Sequence, residues 1–171
     1  FRKKLVHGWV HDPTAAMLGG VSGHAGLFGT ANDVTVIMQM LLQGGAYGAT
    51  HFLSESVIRQ FTSAQFPEHG NRRGLTFDRP TEKPVKDGPV CESASQQSFG
   101  HSGFTGTYTW ADPANGLVYV FLSNRVNPNA SNNQLAKSNL RTRIHQKAYE
   151  IILKAKQISL TPEKIENPLS L

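Results

Sequence analysis

The chain has 171 residues, 39% of them apolar and 17% charged, with a formal net charge of +5 and an isoelectric point near 9.5. Such a composition suits a globular chain with a core of its own, and no apolar run is long enough to span a bilayer. The basic residues are dispersed, which argues against a nucleic-acid partner, and the single cysteine, Cys91, excludes an internal disulfide framework or a multi-cysteine metal site.

Phe1 to Pro13 reads as a leading segment whose apolar contacts are Leu5, Val6, Trp9 and Val10. His7 and His11 have the four-residue spacing of two ligands on a helix face, but Gly8 and Pro13 disfavour a helix and no third ligand is evident. They read as packed or capping histidines, and no metal is expected. Ala15 to Gly29 reads as a buried glycine-rich loop passing under a site. It lacks the strand-then-helix setting of a phosphate loop, and His24 stands where a Gly-x-Ser-x-Gly elbow around Ser22 would need its last glycine. Residues 1–30 thus form a first unit.

Residues 31–62 carry two predicted helices. Thr30 caps the first, Asp33 puts negative charge at its positive end, and Gly44-Gly45 stops it. Val34, Ile37, Met38, Leu41 and Leu42 form its apolar face. Ser54 opens the second, with Val57, Ile58 and Phe61 inward. Residues 63–97 are broken by prolines and glycines, with a short strand expected at Leu75-Thr76-Phe77 and a polar loop from Lys83 to Ser98. Cys91 within it reads as an inert thiol.

Residues 98–124 hold the richest stretch. Three glycines within seven residues, Gly100, Gly103 and Gly106, leave the backbone bare around His101 and Ser102. Tyr108 and Trp110 then alternate with Thr107, Thr109 and Ala111, the period of a half-buried strand. Asp112 to Gly116 supplies a turn, and Leu117 to Leu122 is an apolar run suited to a central strand covered on both faces. Val126 to Asn133 reads as a loop. A last helix, 134–158, begins near Ser138. Leu140, Ile144, Ala148, Ile151, Ile152 and Ala155 should face the sheet, and Lys137, Arg141, Arg143, Lys147 and Lys154 the solvent. The tail from Thr161 reads as irregular.

Phe99-Gly100-His101-Ser102-Gly103-Phe104-Thr105-Gly106, the hairpin after it and Leu122-Ser123-Asn124-Arg125 resemble the third active-site motif and following strand of the serine β-lactamase and penicillin-binding-protein-like hydrolases, nearest the class C and esterase branch. Gly19 to Asp33 is similar to the loop and helix start that precede this motif. The family's Ser-x-x-Lys nucleophile and Tyr-x-Asn motif have no counterpart, and the Ser-x-Asn at Ser131 falls after the third motif. The resemblance therefore implies that residues 1–171 are the C-terminal portion of such a domain, with the true N-terminus upstream.

By that resemblance the Phe104 N–H is one of two oxyanion donors, and the missing nucleophile's N–H is the other. His101 takes the place where most relatives have lysine, Ser102 that of threonine or serine, and Gly103 completes the motif. Histidine, largely neutral at neutral pH, would select less strongly than lysine for carboxylate-bearing β-lactams, leaving esters, amides or cell-wall peptides. A direct pairing of Ser102 with His101 is disfavoured, because neighbours on a strand point to opposite faces.

The expectation is an α+β fold, an antiparallel sheet flanked by helices as in part of the β-lactamase/transpeptidase fold, working through an acyl-enzyme and inactive without its missing N-terminal segment. No cofactor is expected; the partners are a small-molecule or cell-wall substrate and the missing segment, with self-association through exposed apolar surface. The resemblance places the protein outside the cytoplasm. The alternative is a non-catalytic accessory module of the same fold, fused to another enzyme such as a β-N-acetylhexosaminidase.

Overall fold

The structure is a computed structural model and describes residues 5–83 and 88–160. Its first helices are α1 (Pro13–Met17) and α2 (Ala31–Leu42). A small ribbon of β1 (Ala46–Tyr47) and β2 (Thr50–His51) leads to α3 (Glu55–Thr62). The main sheet is β3 (Phe99–Ser102), β4 (Tyr108–Asp112) and β5 (Leu117–Phe121), antiparallel in that order. A short α4 (Gln134–Lys137) precedes the long α5 (Leu140–Leu160). This is the α+β arrangement that the sequence implies.

Local chemistry explains the elements that form as read. Thr30 and Asp33 close a reciprocal capping box on α2, satisfying two otherwise orphan donors. Gly44 and Gly45, at φ 70° and 101°, end it, a backbone that a Cβ disfavours. Asp112 accepts from the Ala114 and Asn115 backbone N–H groups and from the Asn115 side chain, which tightens the β4–β5 turn.

The sheet is sandwiched. Met38 of α2, with Val34, Leu41 and Leu42 beside it, packs on Phe99, Ala111 and Val118 on one face. On the other, Tyr149 of α5 joins Val90, Cys91, Tyr108 and Trp110, with Leu117, Tyr119 and Phe121 at the margin. β4 is therefore the central strand. Trp110 and Ala111 are both buried, so it is covered on both faces instead of half-buried. The apolar run at β5 is only partly buried, with side chains packed on both faces, and among the described residues it pairs with β4 alone.

Other expectations are corrected. The side chains of α5 buried against the sheet are His145 and Tyr149, both 0% exposed, while Ile144 and Ile151 point outward. Arg141, read as solvent-facing, is half-buried, donating from Nη1 to the Thr107 carbonyl. The helix itself begins at Leu140, after Asn139 at φ 53°. In α3 only Ile58 and Thr62 are buried, whereas Val57 and Phe61 remain more than a third exposed. Leu75 to Phe77 forms no strand; Phe77 packs on Phe99 through its side chain, and the backbone meets the sheet in a bridge between Asp78 and Gly100. Of the leading segment's apolar residues only Val10 is buried, and the glycine-rich loop is on the surface, with Leu27 96% exposed. Phe1 to Lys4 and the tail from Thr161 lie outside the described residues. No helix among the described residues is long and apolar enough to cross a membrane.

Candidate active site

The site is built where β3 runs out of the sheet. Phe99 anchors the strand, 2% exposed and edge-on to Phe77 at 5.2 Å. At Gly100 a Cβ would lie 2.2 Å from the Thr109 carbonyl oxygen and 2.3 Å from Trp110 Cε3, so only glycine lets β3 lie this close to β4. His101 and Ser102 then emerge into solvent. Neither the His101 ring nor the Ser102 hydroxyl has a hydrogen-bond partner among the described residues, which leaves both available to a ligand. They are not paired with each other.

The turn that follows is held on several sides. The Gly103 N–H donates to the Thr107 carbonyl at 2.8 Å and the Gly106 N–H to the Gly103 carbonyl at 3.0 Å. A Cβ at Gly103 would meet Thr107 Oγ1 at 2.3 Å, and one at Gly106 would meet Ser123 Oγ at 2.3 Å. Because the Gly103 carbonyl is taken up inside the turn, the N–H of the same trans peptide, that of Phe104, faces the other way. That N–H has no acceptor among the described residues.

Arg125 completes the turn. Its Nε donates to the Phe104 carbonyl at 2.7 Å, its backbone N–H to the Thr105 carbonyl at 2.9 Å, and its Nη1 to the carbonyls of Ala130 and Asn132. Its guanidinium carbon lies 4.4 Å from the centre of the Phe104 ring, within the range of a cation–π contact. His11 stacks on the same ring, with centroids 5.8 Å apart and planes 19° from parallel. Phe104, 65% exposed, is thus held by its neighbours without being buried. Arg125 and His11 are the residues that sequence reading missed. Arg125 was visible only as the end of the strand, and nothing in the local sequence announces that His11 meets Phe104.

Three other features of the neighbourhood bear on chemistry. Asp78, paired through its backbone with Gly100, carries Arg72 at 2.7 Å and Arg73 at 3.7 Å. Cys91 is buried, and burial pushes its thiol up to about 11, so it is not a nucleophile at neutral pH. Among the described residues no group of three His, Cys, Asp or Glu side chains is arranged to hold a metal ion.

The antiparallel sheet flanked by helices is an α+β arrangement that partially matches the β-lactamase fold. The Beta-lactamase family model matches residues 2–143, and the chain belongs to that family. Within it, the chain is 37% identical over 138 residues to a protein of Salmonella agona named "Putative D-alanyl-D-alanine carboxypeptidase", and 37% identical over 125 residues to one of the same name from Escherichia coli K12. The alignments cover 75% and 72% of this chain but 31% and 28% of the relatives, so the chain spans about a third of their length.

Proposed function

We propose that these residues form the third-motif wall of a serine hydrolase of the class C and esterase branch, as the C-terminal portion of its catalytic domain. A serine and its general base, contributed by sequence outside these residues, attack an ester, amide or cell-wall peptide carbonyl and pass through an acyl-enzyme. The Phe104 N–H binds the oxyanion as charge develops, and the nucleophile's own N–H supplies the second donor. His101, Ser102 and Gly103 line the same wall. His101 offers a hydrogen bond where a lysine would offer a fixed charge, which lowers the selection for carboxylate-bearing substrates. The names of the relatives make a peptide ending in D-alanyl-D-alanine the first substrate to try, and membership of the Beta-lactamase family supports an extracytoplasmic setting.

The observation that carries this reading is the Phe104 N–H: held by the turn, without an acceptor among the described residues, and adjacent in sequence to the exposed motif. The test is intact mass after exposure to a fluorophosphonate, which labels activated serines, for this chain and for the gene-length protein. We expect no adduct on residues 1–171 and one adduct on an upstream serine. An adduct within this chain would overturn the assignment of the nucleophile. No adduct on either would leave the alternative, a non-catalytic module of the same fold.

A further inference from the structure

The glycine-rich loop and the leading segment are joined by a relay that the proposed chemistry does not use. Ser22 Oγ lies 2.8 Å from His24 Nδ1, and His24 Nε2 lies 2.9 Å from Asp12 Oδ1. The Ala15 backbone N–H, followed by the His24 contact, holds the Asp12 carboxyl below the usual carboxylate range. An ionised carboxylate can only accept, so His24 Nε2 carries the proton; in the neutral ring Nδ1 then accepts from the Ser22 hydroxyl. Both ring nitrogens are therefore used, and the imidazole has one orientation.

A second anchor lies three residues earlier. Gly20, at φ +93°, comes so close to the Trp9 indole that a Cβ there would sit 3.0 Å from Trp9 Cζ2. The same loop closes on itself, with a Cβ at Gly26 falling 2.4 Å from the Gly20 carbonyl oxygen. The loop thus grips the chain at Trp9 and at Asp12. Between those two grips is His11, whose ring stacks on Phe104.

We propose that Asp12 and His24 are positioning residues: they fix the 9–12 segment so that His11 is set against Phe104, and through it they aim the Phe104 N–H. The relay is not a second nucleophile, because the Ser22 N–H is spent on the Ala25 carbonyl and cannot serve an oxyanion at that serine. The catalytic part of this proposal rests on the oxyanion role given to Phe104; the structural part does not.

The test reads the Phe104 amide resonance by NMR in the full chain. Asp12→Asn keeps a good helix cap but removes the charge that faces His24, so it separates the relay from the cap. Asp12→Asn and His24→Ala should each move the Phe104 amide in the direction that His11→Ala moves it. The double variant Asp12→Asn/His11→Ala should move it no further than His11→Ala alone. A Phe104 amide that ignores Asp12→Asn and His24→Ala while responding to His11→Ala would overturn the proposal, as would a fluorophosphonate adduct on Ser22. In the gene-length protein, Asp12→Asn should lower kcat by roughly ten- to a hundred-fold with KM unchanged. Unchanged kcat alongside a moved resonance would overturn the catalytic part. A parent protein that hydrolyses nothing would sink the oxyanion reading and leave the resonance shifts to decide the latch.

Discussion

On the α5 side of the sheet, Asp112 and His145 are buried among several neighbours, although His145 Nε2 and Trp110 Nε1 have no hydrogen-bond partner among the described residues. Asp112, 1% exposed, accepts from Ser95 through both its N–H and its hydroxyl, from Tyr149 Oη at 2.5 Å, and from its own turn. His145 stacks on Tyr119 at 4.2 Å, with the Tyr108 hydroxyl 3.2 Å from its Nδ1. The layer of residues 5–29 is the opposite case. It holds its shape through local hydrogen bonds and glycine contacts, while Leu5, Val21, Leu27 and Phe28 stand in solvent. The first region braces the hairpin and its turn, and the second meets the motif at the His11–Phe104 stack. The two regions are thus held by different physics: a buried polar network in one, short-range hydrogen bonds and close glycine contacts in the other.

The comparison is broken most severely at Asp112. Asp112→Ala strands the Tyr149 hydroxyl and the Ser95 donors in a buried setting, so unfolding free energy should fall by about 3–5 kcal/mol, read from urea denaturation. A loss below about 1 kcal/mol would mean that water reaches this network and that the two regions are held alike.

The next largest effect is a pH dependence. Burial pushes His145 down to about 4, against a smaller upward pull from Asp112, and the tyrosines facing it, Tyr108 and Tyr149, are held in their neutral forms by burial. As pH falls below about 6.5 the unfolded chain takes up a proton that the folded chain refuses until about 4. Stability is therefore full above that window and declines through it, by about 3 kcal/mol in all. His145→Phe should remove this dependence; an identical pH profile in the variant would count against a buried neutral imidazole.

At the small end stands the front layer. Leu27→Ser should change stability by no more than about 0.5 kcal/mol, since its side chain is already in water. A larger loss would show that copies of the chain cover this surface in solution, which sedimentation of the two proteins would reveal.

What could be read in advance follows the same division. Local chemistry was legible: the Thr30–Asp33 capping box, the Asp112 to Gly116 turn and the glycine spacing of the motif each act within a few residues of themselves. Packing against α5 was not. Ile144 and Ile151 look like core by hydropathy, yet the sheet presents tyrosines and a carboxylate, and the helix answers with His145 and Tyr149. The central strand was misplaced for a related reason. β5 is the more apolar sequence, but β4 bonds to a neighbour on each side, and neither strand order nor the approach of His11 to Phe104 leaves a local trace. Within the candidate site the motif could be read from its residues, whereas Arg125 and His11 act across the fold.

The Asp112 network also has a temporal side. Its turn donors are two and three residues away, whereas those from Ser95 and Tyr149 are 17 and 37 away. Closing the short loops costs far less chain entropy than closing the long ones. The turn can therefore organise first and offer an already oriented carboxylate to the segments that arrive later. Assembly around this residue would run from the hairpin outward, with the docking of the last helix sealing it.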